Sequence, residues 1–175
     1  ANVQSDNGSD SQVIQLDTTD PSVFEPDYEY DSEDIYDEMS EPASGNAVFN
    51  GSSINFSGSG AEVNGPVITI YQSGIYTFSG NLDNGRIAVN LIDDGDVYLI
   101  FNGVSITALD GPAVYIVNAD DTVINIADGT FNYFSDGTEY TTVLSADDEP
   151  NAVIYSKDDL IINGTGTLEI EANYK

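Results

Sequence analysis

From about residue 47 the chain alternates short apolar-rich runs with clusters of Gly, Asn and Asp. The runs are VITIY (67–71), IYTFSG (75–80), RIAVNLI (86–92), VYLIFNG (97–103), VSIT (104–107), AVYIV (113–117) and TVINI (122–126). TFNYF (130–134), AVIYS (152–156), LIING (160–164) and TLEIE (167–171) follow. Within them β-branched and aromatic residues predominate, bounded by turn formers, the composition of short strands. No stretch sustains a 3.6-residue apolar period, so the sequence predicts strands and close to no helix.

Internal repetition separates the all-β architectures. With Gly103, Gly129 and Gly166 as anchors, Val97, Val123 and Leu160 fall into one column, spaced 26 and 37 residues apart. An insertion at EYTTVLSADDEP (139–150) accounts for the larger spacing. A second column sets GPAVYIVNADD (111–121) against PNAVIYSKDD (150–159), offset by one residue as a bulge would give. Each unit then holds three short strands and three turns, which points to a parallel β-helix with three strands per rung, a β-sandwich being the alternative. One rung cannot bury its inward side chains alone; stacking lines up Val, Ile, Leu and Phe into a continuous core.

Residues 1–45 differ from the remainder: they carry 13 acidic residues and no base. They read as an acidic N-terminal extension or linker, with VIQL (13–16), Tyr28, Tyr30 and Tyr36 as apolar handles for ordering on a partner subunit. Residues 46–175 are the expected β domain.

Charge and missing residue types limit the function. The chain has 31 acidic residues against three basic ones, Arg86, Lys157 and Lys175, and a net charge of −28. Phosphate counterion release has almost nothing to act through, so nucleic acid is not an expected partner. No apolar run approaches the roughly 20 residues needed to cross a bilayer, so membrane insertion is not expected. Cys and His are both absent, which excludes disulfides and the thiolate or imidazole sites of zinc, copper and haem. A metal would have to be a hard cation with oxygen ligands, calcium first and magnesium second. Acidity, the absence of cysteine and abundant Asn, Gly, Ser and Thr suit an extracellular or cell-surface protein, its signal peptide removed before Ala1.

Acid pairs stand at the roots of strands in DDGDVYLIF (93–101), NADDTVINI (118–126) and KDDLIING (157–164). In the repeat register Asp94, Asp96, Asp120, Asp121, Asp158 and Asp159 share one corner, with Asp121 level with Asp158. Strands in a stack lie about 4.8 Å apart, so unneutralised carboxylates there would repel. Calcium gathers 6–8 oxygens at about 2.3–2.6 Å, and an ion between rungs would turn that repulsion into a site. The plainer reading is that Asp favours turns and keeps strand edges soluble. Asp147 and Asp148 in the insertion are weaker candidates for the same ion.

GIYTFSGNLDNGRIAV, VYLIFNGVSIT, PAVYIVNADDTVINIADGTFNYFSDG and AVIYSKDDLIINGTGTLEI together resemble the calcium-binding, carbohydrate-binding β-helix domains of clostridial and related bacterial surface proteins. The resemblance implies a right-handed parallel β-helix akin to pectate lyases, bound Ca2+, and binding of acidic pectic or cellulosic chains without catalysis. It makes the acids of NADDT and SKDDL, Asp120, Asp121, Asp158 and Asp159, metal ligands. Members of that group continue with further rungs where this chain reads EANYK, which implies either a fragment or an exposed last rung.

Two functions follow as expectations. One is a polysaccharide-binding module, with Tyr71, Tyr133, Tyr140 and Tyr155 as aromatic platforms, although packing is the simpler account of each. The other is a subunit of a calcium-dependent surface filament or matrix, assembled from copies of itself head to tail or by donation of residues 1–45 to an open end. An enzyme is not expected: with no His and one Arg a lyase base is poorly supplied, and no carboxylate pair stands out for glycoside hydrolysis. Arg86 is expected to pair with a nearby acid.

Overall fold

The computed structural model describes residues 42–141 and 149–174. The acidic stretch 1–41 and the carboxylates Asp147 and Asp148 lie outside the described residues. Among the described residues there are thirteen strands and no helix. They are β1 (Gly45–Gly51), β2 (Ser53–Gly58), β3 (Ala61–Asn64), β4 (Val67–Ile70), β5 (Gly74–Asp83), β6 (Arg86–Asn90) and β7 (Val97–Thr107), then β8 (Val114–Asn118), β9 (Asp121–Ile126), β10 (Phe131–Ser135), β11 (Ile154–Ser156), β12 (Asp159–Gly164) and β13 (Thr167–Glu171).

Two mixed sheets form the body. One runs β12-β9-β7-β5-β1-β2, with β10 also on β7 and β13 on β10; the other runs β11-β8-β6-β4-β3. Their apolar faces meet in a shared core, an all-β, sandwich-like layering. From β4 to β9 the chain changes sheet at every connection. The ladders of β1, β5, β7, β9 and β12, of β7, β10 and β13, and of β4, β6, β8 and β11 are all parallel. Antiparallel pairing occurs at β1–β2 and β3–β4. β1–β3 are absent from the runs read off the sequence, and β7 joins two of those runs into one strand.

The core is a set of columns of like side chains. Phe49, Phe78, Phe101 and Phe134 form a file of rings, with centroids 5.9, 5.7 and 4.9 Å apart. Such contacts contribute about 0.5–1.5 kcal/mol each beyond the area they bury. On the second sheet Ile68, Ile87, Val114 and Ile154 are in register. Gly80 is required by close approach: at φ 89°, a Cβ there would stand 2.3 Å from the Phe49 carbonyl oxygen.

The observed register corrects the sequence alignment by one residue. Val97 pairs with Thr122, which pairs with Leu160; Val123 instead stands level with Tyr98 and Ile161. Aligning the valines would have turned Ile124 and Ile126 out of the core, because a one-residue slip flips every side chain. Two isoleucines inward outweigh one buried threonine hydroxyl. The same correction sets Asp121 level with Asp159, not with Asp158.

Burial is uneven along the ladders. Ile124 and Phe134 are 0% exposed, whereas their partners one strand further on, Ile162 and Ile170, are each 49% exposed.

Candidate functional site

The acidic corner lies where the chain enters β7, β9 and β12. Asp121 and Asp159 open their strands in register. Asp96 immediately precedes Val97, the partner of Thr122, and so stands level with Asp121. Asp96, one residue before β7, and Asp121 and Asp159, which open β9 and β12, are thus one column, successive members about 4.8 Å apart along the backbone. A second column lies one residue back, where the Asp120 N–H donates to the Gly95 carbonyl at 3.1 Å. Asp158 precedes Asp159, and its Oδ2 accepts the Ala119 N–H at 2.9 Å. Asp94 is exposed, beside Gly95 and outside both columns. Five of the six described candidates therefore share one corner. No three acidic side chains among the described residues converge closely enough to hold a metal ion by themselves.

Other acids, which sequence reasoning passed over, tie neighbouring turns together. Asp93 accepts the Ser73 N–H at 3.0 Å and the Ser73 hydroxyl at 3.2 Å. Asp110 accepts the Thr141 N–H and hydroxyl, both at 2.7 Å, and Asp128 the Thr165 hydroxyl at 2.7 Å. Asp136, 3% exposed, accepts the Tyr140 hydroxyl at 2.7 Å and the Asn173 N–H. Carboxylate acceptors satisfy backbone amides that leave the ladders at the corners. Part of the acid excess is thereby structural.

Arg86, 7% exposed, donates through Nη2 to the Asp110 carbonyl, so it reaches that residue through its backbone. Its Nη1 is buried without a hydrogen-bond partner. Burial pulls the guanidinium below its ordinary pKa, and the Asp110 charge opposes that shift.

A groove opens on the outer face of β5, β7 and β10. It encloses about 370 Å³ and is lined by Asn81, Gly103, Val104, Ser105, Phe131 and Tyr133. Asn81, Ser105 and Tyr133 are in register on their three strands. Gly103, at φ 74°, lies in the bulge where β7 spends two residues against one of β5; nothing approaches its Cβ position within 4 Å. The absence of a side chain at Gly103 leaves the groove open at that point. Asn132, between the two aromatics, is 0% exposed and faces inward. Phe131, 57% exposed, faces out. Tyr133 is half-buried, and its hydroxyl donates to Glu171 Oε2 at 2.6 Å. That hydrogen bond raises the phenol pKa.

Of the four tyrosines singled out from sequence, Tyr133 lines the groove. Tyr155 packs edge-on to Tyr115 at 5.5 Å, and Tyr140 lies 4.2 Å from Tyr174. Burial, followed by the hydrogen bond to Asp136, raises the Tyr140 phenol pKa. Tyr71 is half-buried in the turn after β4. Phe131 was missed; the signal was TFNYF itself, where an asparagine takes the inward position between two aromatics.

Fold and surface together describe an all-β scaffold built on an apolar core, with an acidic corner and an aromatic-lined groove on its surface. The chain belongs to the carbohydrate-binding domain-containing protein family, whose model matches residues 64–175. A carbohydrate-binding domain-containing protein of Acetivibrio thermocellus is 36% identical over 115 residues, 66% of this chain and 40% of that protein. The solved structure of a polysaccharide lyase-like protein from C. thermocellum, a gadolinium derivative, matches with a TM-score of 0.70 and 34% identity. That match covers 75% of this chain and 53% of the solved one. The chain thus spans about half or less of the length of these relatives.

Proposed function

We propose that this protein is a non-catalytic, extracellular or cell-surface module that binds polysaccharide, with calcium bridging its acidic corner to acidic, pectic-type chains. The observation that carries this reading is the pairing of Asp121 with Asp159 at the start of β9 and β12, with Asp96 just before β7 beside them. Membership of a carbohydrate-binding family supports the ligand class. The architecture we infer is a right-handed parallel β-helix. The run of parallel ladders, the change of sheet at successive connections and the handedness of parallel crossovers support it.

The donor chemistry suits a hard cation: Asp96, Asp120, Asp121, Asp158 and Asp159 all offer carboxylate oxygen. Two facing carboxylates and nearby turn carbonyls leave coordination positions for water or for a uronate carboxylate. Asp121 and Asp159, level on β9 and β12, would hold the ion, with turn carbonyls and water completing its shell; Asp158 is committed in part to the Ala119 amide. Calcium would add positive charge to a corner where Lys157 is set against five carboxylates, and would damp the repulsion between the acids. The related fold was solved as a gadolinium derivative, and gadolinium is itself a hard, oxygen-seeking cation.

The test is incubation of the protein with a panel of polysaccharides, with calcium or with chelator. Capture of acidic polymers in calcium alone, with chain length unchanged on size-exclusion chromatography, is expected. Shortened chains would overturn the non-catalytic reading, and capture indifferent to chelator would overturn the calcium bridge.

A second reading is favoured by one observation, the half-exposure of Ile162 and Ile170 in columns whose earlier members are buried. Half-exposed isoleucines on β12 and β13 suit apolar contact between copies of this chain in a filament or matrix. Electron microscopy showing only monodisperse particles, with and without calcium, would overturn it.

A further inference from the structure

We propose that the groove over Gly103 is a separate, calcium-independent subsite for an uncharged sugar chain, with Phe131 and Tyr133 as its stacking wall. This rests on the polysaccharide-binding reading above for the ligand class, while its place and selectivity come from the groove itself. Phe131 and Tyr133 lie two residues apart on one strand, which sets their Cα atoms about 6.7 Å apart on the same face. Asn81 faces them across the floor of β7, two strand spacings or roughly 9.6 Å away. Ser105 and the Gly103–Val104 backbone form that floor. An apolar wall opposite an amide and a hydroxyl matches a pyranose, which presents C–H faces on one side and hydroxyls at its rim.

The Tyr133 half of the wall is fixed before any ligand arrives. The Tyr133 hydroxyl is tethered to Glu171, and Asn132, inward between the two aromatics, bonds to the backbones of β7 and β13. A side chain already held loses little entropy on binding. Phe131, at 57% exposure, is an apolar ring that the fold does not use in its core.

Charge selects the class of sugar. Glu169 stands in register with Tyr133, and Glu171 with Ser135 on the same strands. Asp83 follows Asn81 two residues along β5. No Lys or Arg lines the groove. A uronate would meet these carboxylates without a counter-charge, whereas a neutral hexose would meet only donors, acceptors and rings.

The experiment is calorimetric titration of the full chain with neutral hexaoses of glucose, xylose and mannose and with hexagalacturonate, each in calcium and in chelator. At least one neutral hexaose is expected to bind equally in both buffers. Phe131→Ala should weaken that binding roughly tenfold or more with an unchanged thermal melt, and Tyr133→Phe should retain most of it. No binding by any neutral hexaose would overturn the proposal, as would binding that needs calcium or is indifferent to Phe131→Ala. The hexagalacturonate arm reports on the acidic corner separately, so its failure alone would remove the calcium reading and leave the groove.

Discussion

The side-chain Oδ1 of Asn132 accepts a hydrogen bond from the Val104 backbone N–H at 2.8 Å, inside the protein and 28 residues away in sequence. Val104 follows the bulge at Asn102–Gly103, where the ladder skips a residue. The Asn132 amide also donates to the Thr130 hydroxyl at 3.0 Å and the Thr167 carbonyl at 3.3 Å. One buried side chain thus repairs the break in β7, joins three strands and sets its neighbours Phe131 and Tyr133 outward. Asn132→Leu keeps the volume but leaves the Val104 N–H buried and unpaired, at a cost of about 2–3 kcal/mol. Urea unfolding should report that loss.

The Thr122 hydroxyl is the converse case. It is 0% exposed and has no hydrogen-bond partner, in a column between Val97 and Leu160. Thr122→Val removes an unsatisfied polar atom while keeping the branched shape, and should stabilise the fold by about 1 kcal/mol. The same denaturation assay checks the sign.

The uneven burial of the isoleucine column gives a paired test. Ile124→Ala should cost about 2–5 kcal/mol, the range for emptying a packed site. Ile162→Ala, at 49% exposure, should cost less than about 1 kcal/mol. Equal costs would mean that Ile162 is covered in solution.

Alkali should loosen the fold through Tyr76. This phenol is 1% exposed and donates to the Gln72 carbonyl at 2.9 Å. Burial, with Asp93 and Tyr71 adding, pushes its pKa from 10.0 up to about 12. The unfolded chain releases the proton first as pH rises, so stability present below pH 10 declines between 10 and about 12. Phenolate absorbance and unfolding followed together across this window should show it, and Tyr76→Phe should flatten the decline.

Calcium alone should raise the melting temperature by relieving repulsion at the acidic corner. Asp121→Asn should reduce that rise more than Asp94→Asn, because Asp121 is in the column and Asp94 is outside it. Differential scanning calorimetry with calcium and with chelator measures both.

Much of the fold was legible because most core positions obey alternation. The runs from VITIY to TLEIE became strands β4–β13, and the second column holds as a parallel pair, though with Val114 level with Ile154 rather than Val153. The register of β9 was not legible by matching residue types, since a buried threonine holds a place that a valine would fill. β1–β3 were missed because GNAVFNG, SINFSG and AEVN are short and polar at every second position; antiparallel pairing organises two of their junctions. The acidic corner was visible as acid pairs at strand roots, but which acids share a column depended on that same one-residue register. Phe131 was hidden because an aromatic within a strand reads as core until its neighbour Asn132 is seen to take the inward place. The bonds of Asp93, Asp110, Asp128 and Asp136 across turns carry no sequence signal beyond Asp in a turn.

The most direct test is titration of hexagalacturonate into the wild-type chain in calcium, in chelator, and into Asp121→Asn in calcium. The calcium bridge predicts binding in the first condition, none in the second and at least roughly tenfold weaker binding in the third. Equal binding in all three, or none in calcium, would contradict it.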